Sequence, residues 1–178
     1  MHRTRAALIT LGTLCAAAAA TAQTTAPPTL RADWQRDRGN VLAYVDAMPE
    51  SALAFRPTPG VRTFAQQIAH VVESDVDVAA LALLGRARAP VLGDSAQYLH
   101  HQAALHAYVA AAYDFVLSAM AQATAAQWRR RSSMYGQPPE PPARWFDLAH
   151  EHSVWTLGQV VPYLRLNGVT PPPYQMPF

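Results

Sequence analysis

Residues 145–168 constrain the fold more than any other stretch of the sequence. No side chain from 153 to 164 is charged, and the stretch ends at Gly168, a residue typical of helix termini. It therefore predicts one long helix, with a kink near Pro162. A helix with so few charges must be buried over most of its circumference, so the rest of the chain has to surround it.

A polar stripe runs along one face of this predicted helix. At about 100° per residue, His152, Thr156 and Gln159 lie on the same face as Leu148 and Tyr163. The opposite face is apolar and consists of Val154, Leu157, Val161 and Leu164. A buried helix with a polar inner stripe usually lines a site or carries a hydrogen-bond network. The pattern locates a candidate site without naming its substrate.

The first 22 residues have the pattern of a secretory signal peptide. A short basic start, MHRTR, precedes an alanine-rich apolar stretch, and residues 20–22 fit the small-x-small cleavage pattern. The apolar stretch is short against the roughly 20 residues of a membrane span, so we expect cleavage and no stable membrane insertion. The mature protein would then be periplasmic or secreted, with a flexible leader at 23–29 and one domain at 30–178.

Charge and cysteine content exclude some functions. Cleavage removes Arg3 and Arg5 from the 14 basic residues, so 14 − 2 = 12 remain against 12 acidic residues. A formally neutral chain lacks the positive surface that nucleic-acid binding requires, and we expect no nucleic-acid partner. Cys15 is the only cysteine and lies in the signal peptide. The mature chain therefore has neither a disulfide nor a cysteine nucleophile.

Four long stretches carry helical periodicity. Thr63 and Gln66 form a capping-box pattern at the start of the second, and no stretch alternates with a period of two residues. The predicted helices cover about 30–48, 63–85, 94–126 and 145–168, and the third is long enough to contain a break. Four long helices joined by shorter connections predict an all-α protein with an up-and-down four-helix bundle.

The histidines are the strongest candidate ligands in a chain without usable cysteine. Those of the mature chain are His70, His100, His101, His106, His150 and His152. His150 and His152 are two residues apart, so about 200° separates them on a helix and only one can face the interior. His152 belongs to the polar stripe, which makes it the candidate and assigns His150 to the surface or an interface.

His70 on the second helix leaves two interpretations open. It shares a face with Gln66, Glu73, Ser74 and Asp77, which is the pattern of a solvated polar stripe. The same pattern suits the wall of a site that faces the fourth helix, with Glu73 as an extra ligand or hydrogen-bond partner. No HExxH, GxSxG, P-loop or GxGxxG sequence is present to decide between them.

Two stretches of the sequence resemble the DinB/YfiT-like superfamily of metal-dependent bundles. They are residues 34–74, with FRPTPGVRTFAQQIAH as their most specific part, and residues 152–174, with GQ-x3-YLR-x2-G-x2-PP. The resemblance implies a four-helix bundle, often dimeric, that holds a divalent metal such as nickel or zinc with three histidines. His70 and His152 match the first two ligand positions, and Thr156 stands at the third. Some members resemble thiol-dependent transferases, an activity that an exported protein would not share.

Two functional hypotheses follow. In the first, His70 and His152 hold a divalent metal in a hydrolase or transferase, while Thr156, Gln159 and Glu73 bind substrate or water. In the second, the bundle is non-catalytic and has lost the metal, and it binds a small ligand or serves as a dimeric interaction module. A third ligand beside the two imidazoles would favour the first hypothesis, whereas surrounding hydrocarbon would favour the second.

The apolar face of the fourth helix also predicts a homodimer. A monomeric bundle usually leaves one face of each helix polar, and here the face opposite His152 carries no charge. The alternative is that the first helix and the tail with Tyr174 and Phe178 cover this face within one chain.

Overall fold

The computed structural model of the protein describes residues 28–177. The predicted signal peptide and residues 23–27 of the leader lie outside this range. The long helices are α1 (Pro28–Ala47), α2 (Phe64–Asp77), α4 (Gln102–Gln122) and α6 (Pro142–Leu166). Short helices are α3 (Ser95–Tyr98), α5 (Ala125–Arg129) and a 3-10 turn at Glu50–Ala52. The predicted all-α four-helix bundle is confirmed.

The four long helices form a ring in which α1 and α2 are diagonal. Helix α1 packs on α4 and α6, and α2 packs on the same two helices. Side-chain pairs give the directions. Asp46 pairs with His106 and Arg38 pairs with Asp114, so α1 and α4 run antiparallel.

Helices α2 and α4 run in the same direction, so the predicted up-and-down order, in which consecutive long helices are antiparallel, is wrong at this step. Arg130, which follows α4, lies at the end of α2, where it contacts the carbonyl of Leu83, while Tyr98, which precedes α4, shares a cleft with Arg62 before α2. The connection 84–101 must therefore return along the bundle. Its 18 residues reach about 60 Å when extended, whereas the helical stretch 64–83 spans about 30 Å.

The end of α2 is capped by an arginine from another part of the chain. The helix continues as a π-helical segment, Val78–Leu83, and the Arg130 guanidinium donates to the carbonyl of Ala82 at 2.7 Å and to its two neighbours. Gly85 has a φ of 71°, and a Cβ there would overlap the guanidinium. Only glycine allows both this backbone conformation and this close approach.

The stretch 94–126, predicted as one helix long enough to contain a break, does not form a single helix. The stretch contains α3, α4 and α5, with a break at 99–101 and another at 123–124. Ala123 has an extended backbone with ψ of 135°, and the side chain of Thr124 then caps α5. A hydroxyl that caps a new helix start competes with continuation of the old helix.

Most of the apolar face of α6 is covered within the chain. Leu157 and Leu164 are buried, and Leu157 lines a small cavity with Val41 of α1 and Tyr174 of the tail. The tail is held by Asn40, whose amide group exchanges two hydrogen bonds with the backbone of Gln175. At Leu157, therefore, the first helix and Tyr174 of the tail cover this face, as in the alternative stated above; Phe178 lies outside the described residues.

Helix α4 buries one face in the bundle. Within residues 28–177 it is the one helix that is long and apolar enough to cross a membrane on length and composition alone, a test that core helices also pass. Its buried residues include Tyr113, whose ring lies 6.1 Å from Trp34. Trp34 also makes an edge-to-face contact with Phe146 at 5.5 Å. These three aromatic rings join α1, α4 and α6 in the core.

Candidate functional site

Two imidazoles meet between α2 and α6. The Nε2 atoms of His70 and His152 are 3.2 Å apart, and the rings are nearly perpendicular, with centroids separated by 4.9 Å. Both side chains are half-buried. The structure thus places His70 on a site wall that faces His152, as in the second interpretation of its helix face.

The helix start explains why His70 reaches this position. The Thr63 side chain accepts from the Gln66 backbone and the Gln66 side chain accepts from the Thr63 backbone, so the predicted capping box is present. Two further hydrogen bonds tie this end of α2 to α6. The Tyr163 hydroxyl donates to the Arg62 carbonyl at 2.9 Å, and the Gln67 amide donates to Gln159 at 3.0 Å.

A second tie lies on the far side of the imidazoles. The Ser153 hydroxyl donates at 2.8 Å to Asp75, whose carboxyl is buried and whose pKa burial raises well above its usual range. From Gln67 to Asp75 the residue numbers on α2 rise, while those of their partners on α6 fall from Gln159 to Ser153. Helices α2 and α6 are therefore antiparallel. The His70–His152 contact therefore lies between two polar cross-links.

Thr156 completes a cluster with the two histidines. It lies one turn beyond His152 and is buried, and its hydroxyl is 3.3 Å from His152 Nε2. We call His70, His152 and Thr156 the imidazole cluster. A hydroxyl both donates and accepts, so Thr156 can bond His152 Nε2 in either tautomer.

Both imidazoles favour the neutral form. Burial lowers the pKa of His70 and of His152, and the positive charge of Arg62 lowers the pKa of both further. One neutral imidazole can then donate its Nε2–H to the other. His152 Nδ1 is buried and has no hydrogen-bond partner in the described part of the chain.

Glu73 and Gln159 stand apart from the imidazole cluster. Gln159 is solvent-exposed, and its amide oxygen accepts the hydrogen bond from Gln67. Glu73 lines a separate cleft with His70, Arg62 and Tyr98 and makes no hydrogen bond to either imidazole. Of the five residues proposed for the site, the structure brings together His70, His152 and Thr156.

A cavity of about 350 Å³ opens beside the imidazole cluster. Its lining residues are His70, Ser74, Val78, Tyr135, Gln137, Trp145, Leu148, Ala149 and His152. Leu148 was predicted to lie on the polar stripe of α6, but Trp145, which continues that stripe one turn earlier, was not among the predicted site residues. Nor was Tyr135, whose φ of 53° lies in the left-handed region. The Tyr-Gly pair within a polar loop is the only local signal for this turn.

The other histidines lie outside the imidazole cluster. His150, assigned to the surface or an interface, bonds the buried carboxylate of Asp37 on α1 at 2.6 Å. His106 pairs with Asp46 at 2.7 Å on the surface. His100 and His101 are exposed. The choice of His152 over His150 as the residue facing His70 agrees with this geometry.

The donor set does not complete a three-histidine metal site. Zinc enzymes usually supply three protein ligands, and the imidazole cluster supplies two ring nitrogens and one neutral hydroxyl. Among residues 28–177, no group of three or more His, Asp or Glu side chains is placed to hold an ion. The third position is thus occupied by Thr156, a poor ligand for a transition metal.

The fold and the site place the protein among all-helical bundles in which histidines from two antiparallel helices line a cleft. The sequence model of the DinB superfamily matches residues 33–160, a range that contains the whole imidazole cluster. The chain belongs to the DinB superfamily. A comparison with curated proteins finds no match. Membership establishes the family resemblance and the bundle, and it leaves the activity open.

Proposed function

We propose that this protein is an exported small-molecule-binding member of the DinB superfamily, acting in the periplasm or outside the cell. The ligand binds in the cavity beside the imidazole cluster. The observation that carries the proposal is the convergence of His70 Nε2 and His152 Nε2, 3.2 Å apart, on the wall of a cavity of about 350 Å³. Small-molecule sites typically combine such an apolar cavity with a few converging polar groups.

One further feature supports a binding site over a packing defect. The polar atoms of the cluster are held in place by the cross-links that flank it on α2 and α6.

A fragment screen by ligand-observed NMR tests this function. We expect several uncharged fragments to bind the mature protein and to shift the ring signals of His70 and His152. The His152→Ala variant should weaken these fragments, because it removes one of the two imidazoles that line the cavity. His106→Ala is the matched control, since His106 lies on the surface. Fragments that bind without moving either ring, or equally well to His152→Ala, would contradict the proposal.

A divalent metal is the second candidate, and one distance favours it. Two nitrogens that share a tetrahedral ion at about 2.0–2.1 Å lie about 3.3 Å apart, close to the 3.2 Å between His70 Nε2 and His152 Nε2. Nickel or zinc held by this pair, with Thr156 and water beside it, would make the protein a metal-dependent hydrolase or transferase. Such an ion would supply a polarising charge or an activated water.

Calorimetric titration with zinc and nickel separates the two candidates. The protein should be purified without a histidine tag. A metal site predicts saturable binding by wild type and His106→Ala, and a loss of at least about tenfold in His70→Ala, because one of two strong ligands is removed. Absence of saturable binding by wild type would remove the metal and leave the small-molecule proposal in place.

A further inference from the structure

We infer that the cavity beside the imidazole cluster binds an uncharged, apolar molecule of about two fused rings, and that hydrogen bonds to the ligand contribute nothing to its selection. The inference rests on the proposed function, since it names the ligand class for the same site. Three properties of the cavity carry it: the chemical character of its surface, its volume and its aromatic wall.

The surface of the cavity is almost wholly apolar. None of the nine lining residues is Asp, Glu, Lys or Arg, and the charged side chains of Arg62 and Glu73 line the separate cleft on α2. An ion that enters the cavity would lose its hydration without gaining an ion pair, and a polar group would lose its bonds to water. Apolar ligand surface has neither cost.

Several polar atoms of the lining residues are already used within the protein. The Ser74 hydroxyl donates to the His70 carbonyl at 3.2 Å, and the indole Nε1–H of Trp145 donates to the Ser132 carbonyl at 2.9 Å. The Nε2 atoms of His70 and His152 bond each other. His152 Nδ1 has no partner among the described residues, but it is buried and exposes almost no surface that a molecule in the cavity could contact.

Three other polar groups of the lining make no hydrogen bond among the described residues. They are the Tyr135 hydroxyl, the Gln137 side-chain amide and His70 Nδ1. Tyr135 and Gln137 are solvent-exposed, so water can bond them outside the cavity. His70 also lines the polar cleft with Arg62 and Glu73, where water can reach its ring. Because nearly all of the cavity surface is apolar, these groups offer a ligand little to bond.

The volume of about 350 Å³ suits a molecule of two fused rings. A dry protein cavity of about 150 Å³ lined by aliphatic and aromatic side chains binds benzene. The cavity beside the imidazole cluster is more than twice as large, so a single ring would leave much of it unfilled. Wall atoms that face unfilled space lose dispersion contacts. We therefore expect the affinity to rise from one ring to two.

The aromatic wall favours a flat molecule. The rings of Trp145 and Tyr135 lie edge to face with centroids 6.4 Å apart, and Leu148 and Val78 supply aliphatic lining. Trp145 is buried, and its hydrogen bond to Ser132 fixes the orientation of the indole. A planar aromatic ligand gains from edge-to-face or offset contacts with such rings.

Four compounds test the inference. Benzene, naphthalene, 2-naphthol and 2-naphthoate are titrated against the mature protein at neutral pH by ligand-observed NMR, with EDTA present so that the result does not depend on a metal. We expect naphthalene to bind at least about tenfold more tightly than benzene, because four further carbons leave water. 2-Naphthol should bind no more tightly than naphthalene, and 2-naphthoate at least about tenfold more weakly. A tighter 2-naphthol, or benzene or 2-naphthoate matching naphthalene, would overturn the ligand class.

A variant that fills the cavity locates the binding. Leu148→Trp should weaken naphthalene at least about tenfold, because the larger side chain occupies the space of the ligand. Leu166→Trp is the matched control, since Leu166 is exposed on the same helix, and it should have no effect.

Two variants of Tyr135 separate its ring from its hydroxyl in an exposed loop, where they do not disturb the core. Tyr135→Phe keeps the ring and should leave naphthalene and 2-naphthol binding unchanged. Tyr135→Gly removes the ring at a position whose φ suits glycine, and it should weaken naphthalene several-fold. Weaker 2-naphthol binding in Tyr135→Phe would show a hydrogen bond to the ligand and overturn the inference. Unchanged naphthalene binding in both Leu148→Trp and Tyr135→Gly would also overturn it.

The outcomes also separate the inference from the proposed function. If naphthalene does not bind while polar fragments shift the rings of His70 and His152, the ligand class is wrong and the binding site stands. If no fragment of any kind shifts those rings, the proposed function itself fails.

Discussion

Arg62 influences both imidazoles of the candidate site although its own side chain is exposed. Its positive charge disfavours a second positive charge on His70 or His152, and it acts together with burial to lower the pKa of both rings. The unfolded chain therefore binds more protons than the folded one just below the ordinary histidine pKa of about 6.5. The contribution of these two rings to stability is present above that pH and is lost as the pH falls.

Replacing Arg62 by glutamine should raise the pKa of both imidazoles. The Arg62→Gln variant removes the charge, while burial of His70 and His152 stays as it is, so each pKa moves toward the ordinary value without reaching it. An NMR titration of the histidine ring protons measures the change. Arg88→Gln, at another exposed arginine, should leave both values unchanged. Unchanged values in Arg62→Gln would show that burial alone sets them.

His150 has the opposite pH dependence. Its hydrogen bond with Asp37 raises the pKa of the imidazole, so the folded state holds the proton more tightly than the unfolded one. The stabilisation is fully present below the ordinary histidine pKa and is lost as the pH rises through the raised value. His150→Gln should therefore lower the free energy of unfolding by about 1–3 kcal/mol at acid pH and by less at alkaline pH.

Denaturant unfolding at pH 5.5 and pH 8 measures this difference. His106→Gln is the control, because His106 and Asp46 form a pair of similar length with both side chains largely exposed. Solvent screens such surface pairs, so the control should change stability little at either pH. A loss of equal size at both pH values in His150→Gln would contradict the assignment.

At the scale of the elements, the start of α2 positions the site. Thr63→Ala removes the side-chain acceptor of the capping box and should cost about 1 kcal/mol, within the usual range of about 0.5–2 kcal/mol. Thr124→Ala breaks the same motif at α5, a helix of 5 residues with no buried residue, and should cost less. Unfolding in urea compares the two. An equal cost would show that the cap of α2 is not coupled to the contacts beyond it.

Local sequence patterns predicted the helices better than they predicted how the helices pack against one another. The capping box at Thr63 and the charge-free stretch of α6 gave helices that the structure contains. The positions of the breaks in the third helix could not be predicted, because residues 99–101 and 123–124 contain neither proline nor glycine. Likewise, periodicity placed His70 and His152 on polar faces, but it does not determine which helices are neighbours or in which direction they run.

Family resemblance supplied part of what periodicity could not. It paired His70 with His152 and put Thr156 at the third position, and the structure brings these three side chains together. It also suggested a metal, which the donor set does not complete. Neither helical periodicity nor the family resemblance could predict Tyr135 at the cavity, since its position depends on a turn in an irregular loop. The signal peptide, the metal and the dimer stay predictions.

At the scale of the whole molecule, one apolar surface on α6 remains uncovered. Trp155 is 69% exposed and neighbouring Val154 is 37% exposed, although Leu157 and Leu164 on the same helix are buried. A large exposed indole is typical of an interface, because aromatic side chains are enriched there. If the predicted homodimer forms, we expect it to form at Trp155.

Sedimentation equilibrium of the mature protein tests this expectation. Wild type should associate to a dimer, and Trp155→Arg should weaken the association at least about tenfold, since it places a charge where the two copies would bury apolar surface. Val91→Arg is the matched control, because Val91 is 93% exposed on the connection between α2 and α3. A wild-type protein that stays monomeric at every concentration would exclude the dimer. A dimer that survives Trp155→Arg would place the interface on a different surface, because a buried, unpaired guanidinium could not be accommodated at this one.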